Sequence, residues 1–327
     1  MPSARKFLCA VAALASLATI ASPAPSAHAQ QYPNRSITLI VGFAAGGVAD
    51  GIGRLVGQKL SARLGQNVVV ENRGGAGGNI AARAVAGAAA DGYTILVTTT
   101  AMAINETMHK SRGFAASDFR TAAIVASTPE AFAVAKANAA NSLKELVANA
   151  KGKTVNFGTA GVGSGSHIAA EYFFKELAKV PATHVPFQGG APAINAAVAG
   201  HIDMISASLG GGLVAQVNAG NLKGLGVASD KRVGAIAGVP TLAEAGYPNF
   251  QAASWVGFFV PAKTDPQVVA KLNEAIDAIM KEPDVLERLS KLGFDPVNGS
   301  QAQAEAMFKA EVGKWGKMVT SLGLTVN

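Results

Sequence analysis

Short apolar runs alternate along this chain with segments in which apolar residues recur every three or four positions. The runs at 37–41, 67–71, 93–98, 122–126, 131–135, 154–157, 183–186, 202–206, 223–228 and 255–260 read as buried strands. The segments at 49–64, 79–88, 142–150, 166–178, 190–199, 212–219, 240–245, 266–280, 283–292 and 301–322 read as helices. Gly92 and Gly158 punctuate strand ends, and Pro266 and Pro283 fall at first helical turns. Strands alternating with helices in this way predict an α/β fold with mostly parallel sheets flanked by helices.

One unit of the pattern occurs twice. In "ITLIVGFAAGGVADGIGRLVGQKL" (37–60) an apolar strand ends at a turn of glycines and alanines, and a helix follows. "VNFGTAGVGSGSHIAAEYFFKEL" (155–177) repeats that plan. Each reads as the first βα unit of its own α/β lobe. Ligands in such sheets bind beyond the carboxyl ends of strands. Glycine permits close backbone approach, and a helix start favours negative charge. Two such turns facing one cleft predict a grip on a small anion.

The opening residues change the picture of where the protein works. Arg5 and Lys6 precede an apolar run from Phe7 to Ala21, and Ala27-His28-Ala29 fits a small-x-small cleavage pattern. The reading is a secretory signal peptide over residues 1–29, cut after Ala29. Cys9 is the single cysteine of the 327 residues, so cleavage leaves a chain stable without disulfides. The formal charge is +7, falling by the two leader cations. Cations are scattered rather than interleaved with aromatics, which argues against nucleic-acid binding.

The glycine turns fall short of each catalytic motif they approach. Gly152-Lys153-Thr154 resembles the end of a phosphate-binding loop, but Val147 stands where its first glycine belongs and a strand follows. Gly161-x-Gly163-x-x-Ser166 approaches a dinucleotide turn, but the next strand ends at Pro186 without a ribose-binding acid. Neither Ser164 nor Ser166 has glycine two residues away on both sides, as a nucleophile elbow requires. His109, His167, His184 and His201 show no metal spacing. His167 reads as a helix-start side chain bonded to a neighbouring loop, ahead of a ligand donor or base. Asp50 reads as a tie on the glycine turn, ahead of a ligand contact. In "VVVENRGGAGGNIAAR" (68–83), Arg73 reads as a surface residue, and Gly74 to Gly78 as room for a strand and helix to pack.

The segments "YPNRSITLIVGFAAGGVAD", "LSARLGQNVVVENRGGAGGN", "ADGYTILV", "AMAIN", "VNFGTAGVGSGSHIAAEYF", "THVPFQGGAPAINAAVAGHIDM", "VPTLAEAGYPNFQAASWVGFFVPAKT" and "KWGKMV" occur in this order. In combination they resemble the substrate-binding proteins of tripartite tricarboxylate transporters, the Bug-type periplasmic receptors. The resemblance runs over the whole mature chain. It implies a two-lobed Venus-flytrap fold of the periplasmic-binding-protein kind, no catalysis, no metal and no cofactor. It also implies a small organic carboxylate ligand, and large and small integral membrane subunits as partners. Carried onto this chain, the ligand positions are Phe43, Ala44, Ala45, Gly46, Gly47, Val48 and Asp50 in the first turn. In the second they are Thr159, Ala160, Gly161, Gly163, Ser164, Ser166 and His167. Thr98 and Thr99 match another ligand-facing segment, as do Ser206, Ala207 and Ser208.

Departures from the family pattern bear on specificity. Ala44 and Val48 stand where the family usually has proline. Ser206-Ala207-Ser208 replaces an aromatic-Asp-Asn/Ser stretch, so an ammonium-bearing ligand is expected less than a plain acid. The expected division is a lobe of residues 30–130 plus 254–327 and a second of 131–253, in a monomer working in the periplasm. A sensor subunit for a membrane kinase is the runner-up, and an exported enzyme using the same cleft is a third reading.

Overall fold

The computed structural model describes residues 32–150 and 152–326. The signal-peptide reading of residues 1–29 lies outside them. From Arg35 onward the chain forms one compact unit. In chain order it runs β1 (Ile37–Val41), α1 (Val48–Leu64), β2 (Val68–Asn72), α2 (Asn79–Ala86), β3 (Thr94–Thr99), α3 (Ala101–Met108) and β4 (Phe119–Ala135). There follow α4 (Leu143–Asn149), β5 (Val155–Thr159), α5 (Gly165–Tyr172), β6 (Ala182–Pro186), α6 (Gly190–Val198), β7 (Met204–Ser208) and α7 (Leu213–Asn218). The chain closes with β8 (Leu222–Val227), β9 (Ala253–Pro261), α8 (Pro266–Ile279), α9 (Pro283–Lys291), β10 (Asp295–Pro296) and α10 (Gln301–Ser321).

The strands are ordered β2-β1-β3-β9-β4-β7-β5-β6, with β8 and β10 also pairing β4. The two βα repeats make the parallel parts, β2-β1-β3 on one side and β7-β5-β6 on the other. Around β4 every pairing is antiparallel. The sheet is therefore mixed rather than mostly parallel. The difference arises because β4 and β9 are neighbours that cross between the halves instead of closing a βα unit. Residues 122–126 and 131–135 belong to this one strand, not two. Pro129 lies between them, at the place where β4 exchanges β9 for β7 and β8 as partners. A residue without an N–H is tolerated there because the ladder changes partners.

Sequence and structure part at two helices. Residues 240–245 form a turn: the Thr241 amide donates to Glu244 and the Glu244 amide to the Thr241 hydroxyl, and Gly246 at φ +96° ends it. Conversely, α3 was not foreseen. Ala101, Met102, Ala103, Ile104, Asn105 and Met108 are all buried, so only Glu106 and Thr107 are left to mark a polar side. The α5 segment continues into a wider helical stretch at Phe173–Ala178. In α1 the foreseen stripe holds, with Ile52, Leu55, Val56 and Leu60 buried. Pro266 and Pro283 do open α8 and α9.

The C-terminal helix fixes β9, and with it one wall of the cavity described below. Ser300 and Gln303 form a reciprocal cap at its start. Farther along, Glu311 Oε2 accepts from two indoles, Trp255 Nε1 at 3.1 Å and Trp315 Nε1 at 2.7 Å. Both rings are buried. The Trp255 amide donates to Thr100 Oγ1 at 2.9 Å, tying β9 to the end of β3. Replacing Glu311 with alanine orphans both indole N–H groups. The expected loss is roughly 2–5 kcal/mol by urea unfolding, and a change under about 0.5 kcal/mol would show that Glu311 is a bystander.

Candidate functional site

The first glycine turn is tied down from behind by one carboxylate. Asp50, in the first turn of α1 and buried, accepts the Gly46 amide at 2.9 Å and Asn72 Nδ2 at 2.9 Å. Arg54 Nε donates to both its oxygens, at 3.0 and 3.1 Å. Burial pushes this carboxyl up, but the Arg54, Gly46 and Asn72 hydrogen bonds outweigh it and hold it below the usual aspartate range. Asn72 Nδ2 also donates to the Phe43 carbonyl. Gly46 turns the chain at φ +80°, where a side chain is strained.

The second turn is knotted by its own side chains. Ser164 caps α5 by accepting the His167 amide at 3.2 Å and donates to the Gly161 carbonyl at 2.7 Å. Ser166 Oγ takes the Ala160 amide, Thr159 Oγ1 takes the Gly161 amide, and His167 Nδ1 takes the Gly163 amide. These amides are engaged within the turn, whereas Gly165 and Ser166 stand in the first helical turn, where no intrahelical acceptor exists. His167 is buried behind the turn. Its ring stacks on His184 at 4.1 Å, and its Nε2 is 3.7 Å from Glu171. Burial raises Glu171, but hydrogen bonds from His167 and Lys175 pull its pKa to about 2. Burial lowers His184 to about 3. His184 Nε2 in turn lies 2.6 Å from Thr159 Oγ1.

The two turns meet across a small cavity of about 30 Å³ that opens to solvent. Of the foreseen positions, Phe43, Gly47, Val48, Thr99, Ala160, Ser164, Ser166, Ala207 and Ser208 line it. Gly165 and Gly211 line it as well, as do Ala49, Gly190 and Ser254, which were not foreseen. Thr98, Thr159, Gly161, Gly163, His167 and Ser206 stand behind the lining. Ser206 Oγ, for one, donates to the Ser166 carbonyl. Ala45 and Gly46 are exposed. Arg73 is paired with Glu71 at the surface.

Backbone closes on backbone beside the cavity. The Ala44 amide donates to the Gln188 carbonyl at 3.0 Å, a bond that proline at this position could not make. A Cβ at Gly189 would sit 3.1 Å from Ala44, and one at Gly74 would sit 3.2 Å from the Gln188 carbonyl. A Cβ at Gly77 would collide with the Val162 carbonyl, and one at Gly163 with Asn105. The third glycine turn therefore does more than pack a strand on a helix. Gly77 is bare because the second turn lies directly against it. Asn105 holds the third turn from below, donating to the Gly77 carbonyl and to Asn79 Oδ1, each at 3.1 Å.

Sequence reasoning missed Glu130. It sits fully buried in β4, opposite Ser208 of β7. Its Oε1 accepts from Ser254 Oγ at 2.5 Å and Ser208 Oγ at 2.9 Å, while its Oε2 has no partner. Both serines line the cavity. A Cβ at Gly165 would lie 2.7 Å from Glu130 Oε1, so the carboxyl packs against the start of α5. The available signal was one acid, after Pro129, within the otherwise apolar "AFAVA" strand context. Burial pushes its pKa up to about 7 against the pull of the two serine hydrogen bonds.

A carboxyl raised in the folded state stabilises fully below its unfolded pKa, and that contribution is lost as pH rises toward the folded value. Glu130→Gln keeps an acceptor for both serines and removes the penalty. It is expected to gain stability over the parent progressively from about pH 4.5 to pH 7, reaching roughly 3 kcal/mol. Urea titrations across that range check this; a constant offset at every pH counts against a titrating Glu130.

Comparison with known proteins converges on one family. Residues 52–324 match the tripartite tricarboxylate transporter family receptor. A protein described as "UPF0065 protein in tcbD-tcbE intergenic region" of Pseudomonas sp. (strain P51) is 33% identical over 316 residues, 95% of this chain and 93% of that one. MatC of Rhodopseudomonas palustris, solved with bound malate, superimposes with a TM-score of 0.84 at 31% identity, covering 88% of this chain and all of its own. An R. palustris protein solved with adipate gives 0.86 at 30% identity, covering 90% of this chain and 99% of its own. The two R. palustris proteins hold an acid each, and the fold is that of periplasmic binding proteins. The chain belongs to the tripartite tricarboxylate transporter receptor family.

Proposed function

We propose that this protein is a periplasmic solute receptor that encloses a small organic carboxylate in the cavity between the β1–α1 and β5–α5 turns. It would then deliver that acid to the large and small membrane subunits of a tripartite transporter. The carrying observation is the convergence of two helix starts and several hydroxyls on one cavity, with neither turn supplying a cation. The malate and adipate held by relatives support an acid as the ligand class. Export through the leader over residues 1–29 accords with the family's periplasmic members.

In this reading residues up to 130 plus 254–327 form one lobe and 131–253 the other. Closure pivots where β4 changes partners and where β9 begins. The ligand carboxylate takes the amides in the first turn of α1, with the Ser166 hydroxyl opposite, on the turn that Ser164 holds in shape. An ionised hydrogen bond contributes roughly 1.5–3 kcal/mol, and a partly buried helix start up to about 2 kcal/mol more.

Calorimetry against malate, succinate, adipate, citrate and aromatic acids tests the proposal. Binding of at least one is expected. Gly46→Val and Gly163→Val place bulk at left-handed backbone positions, and the second also meets Asn105, so both should abolish binding in variants whose circular dichroism is intact. Ser164→Ala should weaken it about tenfold, equivalent to roughly 1.4 kcal/mol. Arg73→Ala should change it little. Loss of binding in Arg73→Ala with normal binding in the glycine variants would overturn the backbone grip.

A further inference from the structure

Glu130 stands one hydroxyl behind the cavity wall. Ser208 and Ser254 line the cavity and both give their O–H to its Oε1, at 2.9 and 2.5 Å, while its Oε2 is buried without a partner. A hydroxyl has one proton and two acceptor sites. With the carboxyl ionised, both serines therefore turn lone pairs toward the cavity, and such a wall repels a carboxylate. With the carboxyl neutral, its own O–H can donate to one serine. The proton of that serine is then released to point at a ligand. The protonation state of a group that no ligand touches thus sets the polarity of this wall.

No charged neighbour fixes that state. Among the described residues, the carboxyl takes its hydrogen bonds from the two serines, one on β7 and one on β9. On α5, which packs against it at Gly165, His167 stacks on His184 and approaches Glu171, and Glu171 pairs with Lys175. The segment after β8 meets Glu130 through backbone, the Ala228 amide donating to its carbonyl. Burial pushes the carboxyl up to about 7, so a modest change in the local field moves its proton. An anion entering the cavity is such a change, because a like charge close to a buried carboxyl favours the neutral form. We propose that Glu130 is a positioning residue that takes up one proton from solvent as the acid binds and thereby turns a serine hydroxyl toward the ligand. This rests on the proposed function, since it presumes an organic acid in this cavity.

Counting protons tests this. Calorimetry of malate and adipate, then of the wider acid panel, is run on the purified chain in buffers of different ionisation enthalpy. At about pH 8 the observed enthalpy is expected to vary with the buffer, with a slope close to one proton taken up. The complex holds the extra proton, so affinity is expected to be level below about pH 6 and to fall about tenfold per unit above about pH 7. Glu130→Gln imitates the neutral carboxyl. It is expected to bind with no proton uptake, a level pH profile and about tenfold higher affinity than the parent at about pH 8. Ser254→Ala removes a hydrogen bond that favours the ionised form, so its fall in affinity is expected to begin at a higher pH. Binding by the parent without proton uptake at about pH 8 overturns the inference and leaves the carboxylate receptor standing, and this arm needs no variant. So does an uptake unchanged in Glu130→Gln, which assigns the proton to another group, or a fall in affinity that stays in place in Ser254→Ala. Binding of no acid in the panel by the parent overturns the receptor reading and the proton coupling with it.

Discussion

The antiparallel pairing of β4 with β9 up to Pro129, and with β7 and β8 from Glu130 onward, is the contact on which the rest depends. Nearly all of its 17 residues are buried. Because one strand serves both halves, the strand ends of the two βα repeats face a shared cavity. The C-terminal helix reinforces that arrangement from outside, through Glu311 and the two indoles. A ligand site assembled from two distant parts of a chain needs such a common member. Otherwise each part would be positioned only by its own small core.

The βα repeat was legible in the sequence because its signals are local. An apolar run, a glycine turn and a helical stripe occur within about twenty residues, and periodicity reads each of them. The prolines opening α8 and α9 were legible for the same reason. What periodicity could not reach was context. α3 is buried except at Glu106 and Thr107, so its residues carry little alternation to read. Residues 240–245 have helical composition, but Gly246 and the Thr241–Glu244 exchange close them into a turn. The continuity of β4 through Pro129 depends on a change of partners that only the assembled sheet reveals.

The site divides along the same line. The turns that frame it were visible as glycine clusters, and Asp50 and Arg73 stand in the roles that local chemistry predicted for them. Glu130 was invisible because its meaning comes from Ser208 and Ser254, which are 78 and 124 residues away in the chain. Gly77 was read as packing for its own helix because the carbonyl of Val162 lies in another part of the sequence. Local chemistry identified the groups that hold the turns in shape. It could not identify those whose purpose is to meet something across a gap.

The contacts beside the cavity mouth have one property in common. Ala44 to Gln188, Gly77 to Val162, Gly189 to Ala44 and Gly211 to Val48 are meetings of backbone and small uncharged side chains. Ionic strength does not screen such contacts as it screens exposed ion pairs, so they hold alike in dilute and concentrated salt. They also carry no information about the cargo. The floor can exchange an acid or a hydroxyl without disturbing the way the walls come together. Divergence in what is recognised is thereby uncoupled from the mechanics of enclosure.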